Sequence, residues 1–356
     1  MISKECFTQE WVENVSQQLH YPDKNLIEKV IRAFALVDML ASSGCDFCWK
    51  GGTSLMVILG GSLHRLSIDV DIICPPGTDI EKYLAGYKEF GFIRREEDYR
   101  ERKSADVPAT HSKFHYQIVY NSALQRTEYI LLDVLYEESH YNKVNTVSIE
   151  SPFVKWETIP PQVKVPSVED ILGDKLTAFA PNTSGIPYTK NGVSRSLEIM
   201  KQLYDVGRLF DKAEDISIIK GAYLQLVPVE MSYRGLPPDP EKTLDDTVET
   251  AKCILSRGKQ GLGDFASLQD GINRLKSFMY QGKYYIENAI CDAGKAAYLA
   301  CIIKSDRCIL EKYDSTSPIS PQITKLPAVI SKLAIANPEA FFYWAKVFEI
   351  MENLGE

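Results

Sequence analysis

The hydrophobic positions in the first half of the chain follow the period of helices and then the period of strands. From residue 11 to residue 43, apolar side chains recur three and four positions apart, which predicts helices that end at Gly44. After that, short apolar or alternating runs are separated by glycine and proline, which predicts a small mixed sheet. The predicted strands span residues 47–50, 65–74, 113–120 and 128–136, and the predicted helices span residues 53–59 and 80–90.

The hydrophobic positions of the second half have the helical period almost throughout. Ser167 is expected to cap a helix over residues 168–180. The later runs with helical spacing span residues 197–210, 243–257, 265–279 and 284–304. A proline-rich stretch at residues 159–166 separates the two patterns. The sequence therefore predicts an α/β protein of the α+β kind, with a mixed-sheet domain and N-terminal helices over residues 1–160 and a helical domain over residues 161–356.

Length and composition allow two globular domains without disulfides. The chain has 356 residues, of which 45% are hydrophobic and 25% are charged. Its eight cysteines have no regular spacing, as expected of free thiols in the cytoplasm, and the pair Cys45 and Cys48 lacks the second pair that a zinc site needs. No apolar stretch approaches the ~20 residues of a membrane span. The expectation is a cytoplasmic protein that does not associate with membranes.

The net charge of −8 excludes one class of nucleic-acid-binding protein. Broad nonspecific binding depends on neutralising phosphates, and this chain has more carboxylates than basic groups. The net charge does not exclude a local basic groove, and bound Mg²⁺ would offset part of the negative charge. Five basic residues in a polar, loop-like stretch are candidates for that groove, and the alternative is a solvated loop in which neighbouring acids balance them. They are Arg94, Arg95, Arg100, Arg102 and Lys103.

The segment with the clearest chemistry is a glycine turn before the helix predicted at residues 53–59. Gly51 and Gly52 let the backbone turn sharply and approach a ligand closely. Thr53 and Ser54 follow, so that backbone N–H groups and two hydroxyls at a helix start can face an anion.

Two acids follow the turn on the strand predicted at residues 65–74. Asp69 and Asp71 are two positions apart, so their side chains point to the same face. Adjacent carboxylates repel each other unless they share a cation, and Mg²⁺ prefers oxygen ligands together with substrate phosphates. By itself, a Gly-Gly pair before a helix is usually only a turn, and an Asp-x-Asp at a strand end is often only a solvated edge. Their combination, in this order, predicts phosphoryl or nucleotidyl transfer.

These two pieces resemble the motif of the AbiEii/AbiGii-type nucleotidyltransferase toxins, a family of the DNA polymerase beta-like superfamily. The family motif reads G-G-T-x-L and then R-x-S-x-D-x-D, and the chain matches it at residues 51–55 and 65–71. The resemblance implies that Asp69 and Asp71 bind Mg²⁺ or Mn²⁺. The residues that it assigns to nucleotide binding are Gly51, Gly52, Thr53, Ser54, Arg65 and Ser67.

A third acid, Asp133, lies in the apolar run of the strand predicted at residues 128–136. An Asp there is costly to bury without a partner, and a metal site would supply one. A salt bridge or a position at the strand end is the alternative. The resemblance implies that Asp133 binds the catalytic metal and acts as base for the incoming hydroxyl.

Two residues of the helical half match later family signatures. Lys175 belongs to a K-L-x-A core in the helix predicted at residues 168–180, and Asp205 is the final acid of a later helix. The resemblance implies that Lys175 reaches the triphosphate as a point charge and that Asp205 completes the site. A solvated helix position is the alternative for Lys175. Lys201 begins the later helix signature that contains Asp205. Residues 181–185 intervene where many members have an Arg, and this departure leaves open which residue is the partner of Lys201.

The resemblance predicts a Mg²⁺-dependent enzyme that transfers NMP from an NTP to an acceptor with release of pyrophosphate. It further implies the toxin of an AbiE-like type IV toxin–antitoxin or phage-defence system, with a cognate antitoxin as a partner and RNA, at the 3′ end of tRNA, as the expected acceptor. Two alternatives stay open: nucleotidylation of a small molecule or a protein hydroxyl, and an inactive nucleotide-binding module. The presence of Asp69, Asp71, Asp133 and Lys175 favours an active enzyme, since a degenerate copy would be free to lose them.

Overall fold

The computed structural model describes residues 1–97, 109–121, 126–305, 307–317 and 327–355. Within this described part, the chain divides into two compact units. Unit 1 consists of Met1–Ser167 and Phe278–Gly282, and unit 2 consists of Val168–Ser277 and Lys283–Glu356. The boundary predicted after residue 160 precedes a strand that the structure places in unit 1.

Unit 1 is a mixed sheet with helices. Its helices are α1 (Gln9–Gln18), α2 (Lys24–Ser42), α3 (Gly51–Ile58) and α4 (Glu81–Leu84). Its strands are β1 (Cys48–Lys50), β2 (Val70–Cys74), β3 (Arg94–Glu97), β4 (Ala109–Gln117), β5 (Thr127–Tyr136), β6 (Val144–Ser148) and β7 (Gln162–Pro166). The order of these seven strands in the described sheet is β3-β4-β5-β2-β1-β7-β6. The β2–β5 and β1–β7 pairs are parallel and the other pairs are antiparallel.

Helix α2 is the main buried helix of unit 1 and is held to the sheet by apolar and polar contacts. The ring of Phe34 packs edge-on against Trp49 of β1, with 6.1 Å between the centroids. Three charged side chains of α2, those of Glu28, Arg32 and Asp38, are also buried, and each has a partner; Asp38 accepts from the Ile2 N–H at 2.8 Å. Glu28 accepts from the backbone N–H of Val119, just beyond β4, at 3.0 Å, and Arg32 donates to the carbonyl of Gly91 at 2.9 Å. Hydrogen bonds of this kind make the burial of charge tolerable.

The mixed α/β fold class predicted from the sequence is confirmed, but several elements differ from the predictions. The strand predicted at residues 65–74 begins only at Val70, and Arg65 forms an isolated bridge with Met279 instead. The helix predicted at residues 80–90 is broken at Gly86, a residue that weakens helices. Arg94 and Arg95, expected in a loop, lie on the edge strand β3, and the proline-rich stretch contains β7.

The segment Phe278–Gly282 returns to unit 1 after the chain has passed through most of unit 2. Its backbone pairs with residues just before β2. The Leu66 N–H donates to the Phe278 carbonyl at 2.8 Å, and the Tyr280 N–H donates to the His64 carbonyl at 3.0 Å. Arg65, between these two bonds, forms an antiparallel bridge with Met279. The segment therefore fixes the backbone that leads into β2.

Unit 2 is helical, as predicted, with one short hairpin. Its helices are α5 (Val168–Ala178), α6 (Ser196–Lys212), α7 (Ile216–Tyr233), α8 (Pro240–Leu255), α9 (Phe265–Leu275), α10 (Ile286–Lys304), α11 (Ala328–Ser331), α12 (Leu333–Ala336) and α13 (Pro338–Leu354). The hairpin strands are β8 (Thr189–Lys190) and β9 (Val193–Ser194). Side-chain caps explain where two of the helices begin. Asp239 accepts from the Lys242 N–H at the start of α8, and Asp264 accepts from the Ser267 N–H at the start of α9.

Helix α10 is buried along most of its length and forms the centre of unit 2. The indole N–H of Trp344 in α13 donates to the Ile290 carbonyl at 2.9 Å. Two charged residues of α10 are buried with partners from other helices: Asp292 accepts from Arg208 at 2.8 Å, and Lys295 contacts Asp211 at 2.6 Å. None of the helices among the described residues combines the length and the apolar character needed to cross a bilayer.

Candidate active site

A glycine turn at the start of α3 brings together the residues of the sequence motif. The helix begins at Gly51, whose φ of +79° lies in the left-handed region that favours glycine. A Cβ atom at Gly51 would lie 2.1 Å from Asp71 Oδ2. A Cβ atom at Gly52 would lie 2.6 Å from Ser67 Oγ and 2.8 Å from Arg65 Nη2. The two halves of the motif are therefore packed against each other, and the absent side chains of the glycines leave the space that this contact needs.

The two hydroxyls after the turn point inward. Thr53 and Ser54 are buried, the Thr53 hydroxyl donates to the Asp69 carbonyl, and the Ser54 hydroxyl donates to the Gly51 carbonyl at 2.9 Å. The sequence led us to expect these hydroxyls to face an anion, and this expectation is corrected. A buried hydroxyl needs an internal acceptor, and the backbone carbonyls supply it. The backbone N–H groups at the start of α3 are the feature that suits an anion there.

Asp71 and Asp133 lie directly opposite each other. The parallel pairing of β2 with β5 places them at the same register position, so both side chains leave the same face of the sheet. Both side chains are half-buried. Asp69 is exposed and lies just before β2, instead of on the predicted strand. The structure thus brings two of the predicted acids together on neighbouring strands and places the third at the end of one strand.

His111 is a residue of this site that the sequence did not indicate. It lies on β4 opposite Asp133, and its Nδ1 is 2.7 Å from Asp133 Oδ1. The row across three neighbouring strands is therefore Asp71, Asp133 and His111. No spacing along the chain reveals this contact, because it joins residues on different strands.

The carboxylates of this row are chemically suited to binding a divalent cation. Mg²⁺ is usually held by one or two protein carboxylates together with substrate phosphates. Asp71 and Asp133 supply two carboxylates at paired positions, and the missing side chain of Gly51 leaves room beside Asp71. Within the described ranges, no three His, Cys, Asp or Glu side chains are gathered as a complete metal-binding group. The carboxylates here that could hold a divalent cation are Asp71 and Asp133 on the paired strands and Asp69 just before β2.

Lys175 and Asp205 contact each other within unit 2. Lys175 Nζ lies 3.3 Å from Asp205 Oδ2 and donates to Gln202 Oε1 at 2.9 Å. The Lys175 side chain is 10% exposed, and the Asp205 side chain is fully buried. Lys175 is thus a buried member of an ion pair between α5 and α6, and not the solvated helix residue that was the alternative for it.

Two residues of the basic stretch pair with acids, and His64 contacts the returning segment. Arg94 lies 3.3 Å from Glu96, and Arg95 forms an ion pair with Glu81. Arg100, Arg102 and Lys103 lie outside the described residues. The His64 ring packs edge-on against Tyr280, with 6.3 Å between the centroids.

Comparisons with known proteins identify the family. The family model described as "Nucleotidyl transferase AbiEii toxin, Type IV TA system" matches residues 35–252, which is more than half of the chain. The chain belongs to the AbiEii nucleotidyltransferase toxin family. This membership confirms the resemblance drawn from the motif and makes the protein a nucleotidyltransferase by family. A search of curated proteins gives no sequence match.

Several solved structures are similar to this AbiEii family member at low identity. JHP933 from Helicobacter pylori is 14% identical, with 86% of this chain and 94% of that chain covered and a TM-score of 0.43. A putative nucleotidyltransferase from H. pylori is 16% identical, with 79% and 94% covered and a TM-score of 0.42. MenT4, a nucleotidyltransferase toxin from Mycobacterium tuberculosis, is 12% identical, with 86% and 91% covered and a TM-score of 0.45.

The close contact at the glycine turn predicts that Gly51→Ala is far more costly than Gly44→Ala. Both glycines have a positive φ, +79° at Gly51 and +75° at Gly44, but nothing lies within 4 Å of a Cβ at Gly44. Gly44→Ala should cost only the backbone strain, roughly 1–2 kcal/mol. Gly51→Ala should cost about 1–3 kcal/mol more, because the Asp71 carboxylate must move. Urea unfolding of both variants measures the difference, and equal losses would contradict the packing described here.

The buried pair in unit 2 predicts a large loss of stability for Lys175→Met. Removing the ammonium leaves a buried carboxylate without its counter-charge, which typically costs about 3–5 kcal/mol. The double variant with Lys175→Met and Asp205→Asn should recover part of this loss, because the charge that needs balancing is gone. Thermal and urea unfolding measure both variants. The exposed pair of Lys82 and Asp79 is the control, since Lys82→Met should change little. A single Lys175→Met variant as stable as the wild type would refute the burial of this pair.

Proposed function

We propose that the protein transfers NMP from an NTP to RNA, at the 3′ end of tRNA, in a reaction that depends on Mg²⁺ or Mn²⁺. We further propose that it acts in the cytoplasm as the toxin of an AbiE-like type IV toxin–antitoxin or phage-defence system, with a cognate antitoxin as partner. Family membership supports the activity class. The observation that carries the site assignment is the register of β2 and β5, which sets Asp71 opposite Asp133 beside the glycine turn.

Each residue of the turn and the row has a proposed task. The N–H groups at the start of α3 bind and orient the phosphates of the NTP. Asp69, Asp71 and Asp133 would hold a divalent cation, which would neutralise negative charge on the phosphates. Asp133 accepts the proton of the attacking acceptor hydroxyl. The new bond joins that oxygen to the α-phosphorus, the α–β phosphoanhydride bond breaks, and pyrophosphate leaves.

Lys175 is proposed as a further nucleotide-binding residue, and Asp205, which is fully buried, is proposed to complete the site by holding Lys175 in position. The support is the family signature in α5 and α6. Arg65 and Ser67 are proposed to support the phosphate-binding turn, since both lie against Gly52. Arg65 is buried, so its contribution is to hold the turn in position.

Nucleotide transfer should depend on each of the three acids. Asp69→Asn, Asp71→Asn and Asp133→Asn keep the size of the side chain and remove the charge, so each should lower transfer by about a hundred- to a thousandfold. Transfer is measured with labelled NTPs and total cellular RNA, and unfolding temperature checks the fold. Asp79→Asn, in the loop after β2, is the control and should keep full activity. Near wild-type transfer by Asp69→Asn or Asp71→Asn would make the site assignment wrong.

An exposed aromatic residue on the same face of the sheet supports RNA as the acceptor. Tyr129 lies four positions before Asp133 on β5, so the two side chains share a face. It is 41% exposed, and Lys113 Nζ lies 5.5 Å from its ring centroid. A ring flanked by a cation suits an unstacked base and the adjoining phosphate. At about 3.3 Å per residue, Tyr129 lies roughly 13 Å from Asp133 along the strand, within the span of a short single strand.

Tyr129→Ala should therefore weaken RNA labelling while Tyr129→Phe retains it. Stacking of one base on an aromatic ring is worth about 1–3 kcal/mol, or roughly a five- to 150-fold change in affinity. The measurement is the KM for tRNA under saturating NTP, at low and moderate salt. If phosphates are also bound, labelling falls steeply as the salt concentration rises. Label that enters a protein or a small metabolite while RNA stays unlabelled would exclude RNA as the acceptor and leave nucleotidyl transfer as the activity.

A further inference from the structure

His111 makes a short polar contact with Asp133, one of the two acids of the row. The two residues are paired across β4 and β5, and the distance from Nδ1 to Oδ1 is 2.7 Å. The side chains are 11% and 29% exposed, so the contact is largely shielded from water. A carboxylate can only accept a hydrogen bond, so the ring N–H at Nδ1 is the donor. A short contact of this kind fixes the orientation of the carboxylate.

We infer that His111 is a positioning residue that holds the Asp133 carboxylate in the orientation needed opposite Asp71. This inference rests on the proposed function, because it assigns Asp133 to the metal and the acceptor hydroxyl. The donor is built into the sheet, because β4 and β5 set His111 and Asp133 at one register position. The hydrogen bond opposes rotation of the Asp133 side chain away from Asp71, a rotation that the repulsion between like charges on paired strand positions favours.

His111 acts through Asp133 and is not itself expected to bind the cation. Mg²⁺ and Mn²⁺ favour oxygen ligands, whereas imidazole suits zinc, copper, iron and nickel. Hydrogen-bond partners of metal-binding carboxylates are worth about ten- to a hundredfold in metal affinity or activity. A loss of this size is therefore expected when the donor at Nδ1 is removed, even though the residue does not contact the cation.

Three substitutions at one position separate positioning from a plain packing role. In His111→Asn the side-chain amide nitrogen can take the place of Nδ1, in His111→Gln the amide lies one methylene further out, and in His111→Ala there is no donor. His140→Asn is the matched control, because His140 pairs with Glu137 at 3.6 Å outside the row. Mn²⁺ binding in the absence of NTP, followed by electron paramagnetic resonance, is the first measurement. The second is kcat and KM for the NTP.

His111→Ala should weaken Mn²⁺ binding about ten- to a hundredfold and lower kcat with little change in KM. His111→Asn should recover most of both, His111→Gln much less, and His140→Asn should match the wild type. If His111→Ala fails to fold, the comparison of Asn with Gln still decides the matter, because these variants differ by one methylene.

Three results would overturn the inference: Mn²⁺ binding by His111→Ala equal to that of the wild type, equal losses in the Asn and Ala variants, or a wild-type protein that binds no Mn²⁺. Because this measurement uses neither NTP nor acceptor, it is independent of the acceptor assignment. A wild type that binds Mn²⁺ but labels no RNA would count against the proposed acceptor and leave the role of His111 standing.

Discussion

Two carboxylates on directly paired strand positions repel each other, and the residues around them in unit 1 have to accommodate this repulsion. The parallel register of β2 and β5 sets Asp71 opposite Asp133, at a cost that a sheet normally avoids. Around this pair the structure places a glycine with no side chain and a histidine that donates to one carboxylate. Keeping two negative charges together lowers the stability of the sheet. Such an arrangement is typical of sites whose charge is balanced by a ligand.

The part of the site that is local in sequence could be predicted. Gly51 and Gly52 belong to a turn whose steric needs only glycine meets, and the alternation around Asp71 marks a strand, so residue types alone located both pieces. The helical period of unit 2 could also be recognised, because amphipathic helices such as α6 and α9 bury one face against their neighbours. The fold class and the family followed from these local patterns.

The contacts between distant residues could not be predicted. The pairing of His111 with Asp133 depends on the register of β4 with β5, which neither strand encodes by itself. The ion pair of Lys175 and Asp205 joins two helices. Edge strand β3 was missed because its residues are charged, and charge on an edge strand is a protection against pairing with other chains. In each case the residue or strand that completes the contact is separated from its partner by many residues along the chain.

The return of Phe278–Gly282 to unit 1 has a consequence for the synthesis of the protein. The backbone just before Asp69 and Asp71 takes its hydrogen bonds from this segment, which leaves the ribosome 115 residues after Ser167. At 5–20 residues per second, the delay is roughly ten seconds. During this time the growing chain contains every acid of the row but lacks the segment that fixes the approach to β2. Unit 1 is therefore completed late in translation, after most of unit 2 has emerged.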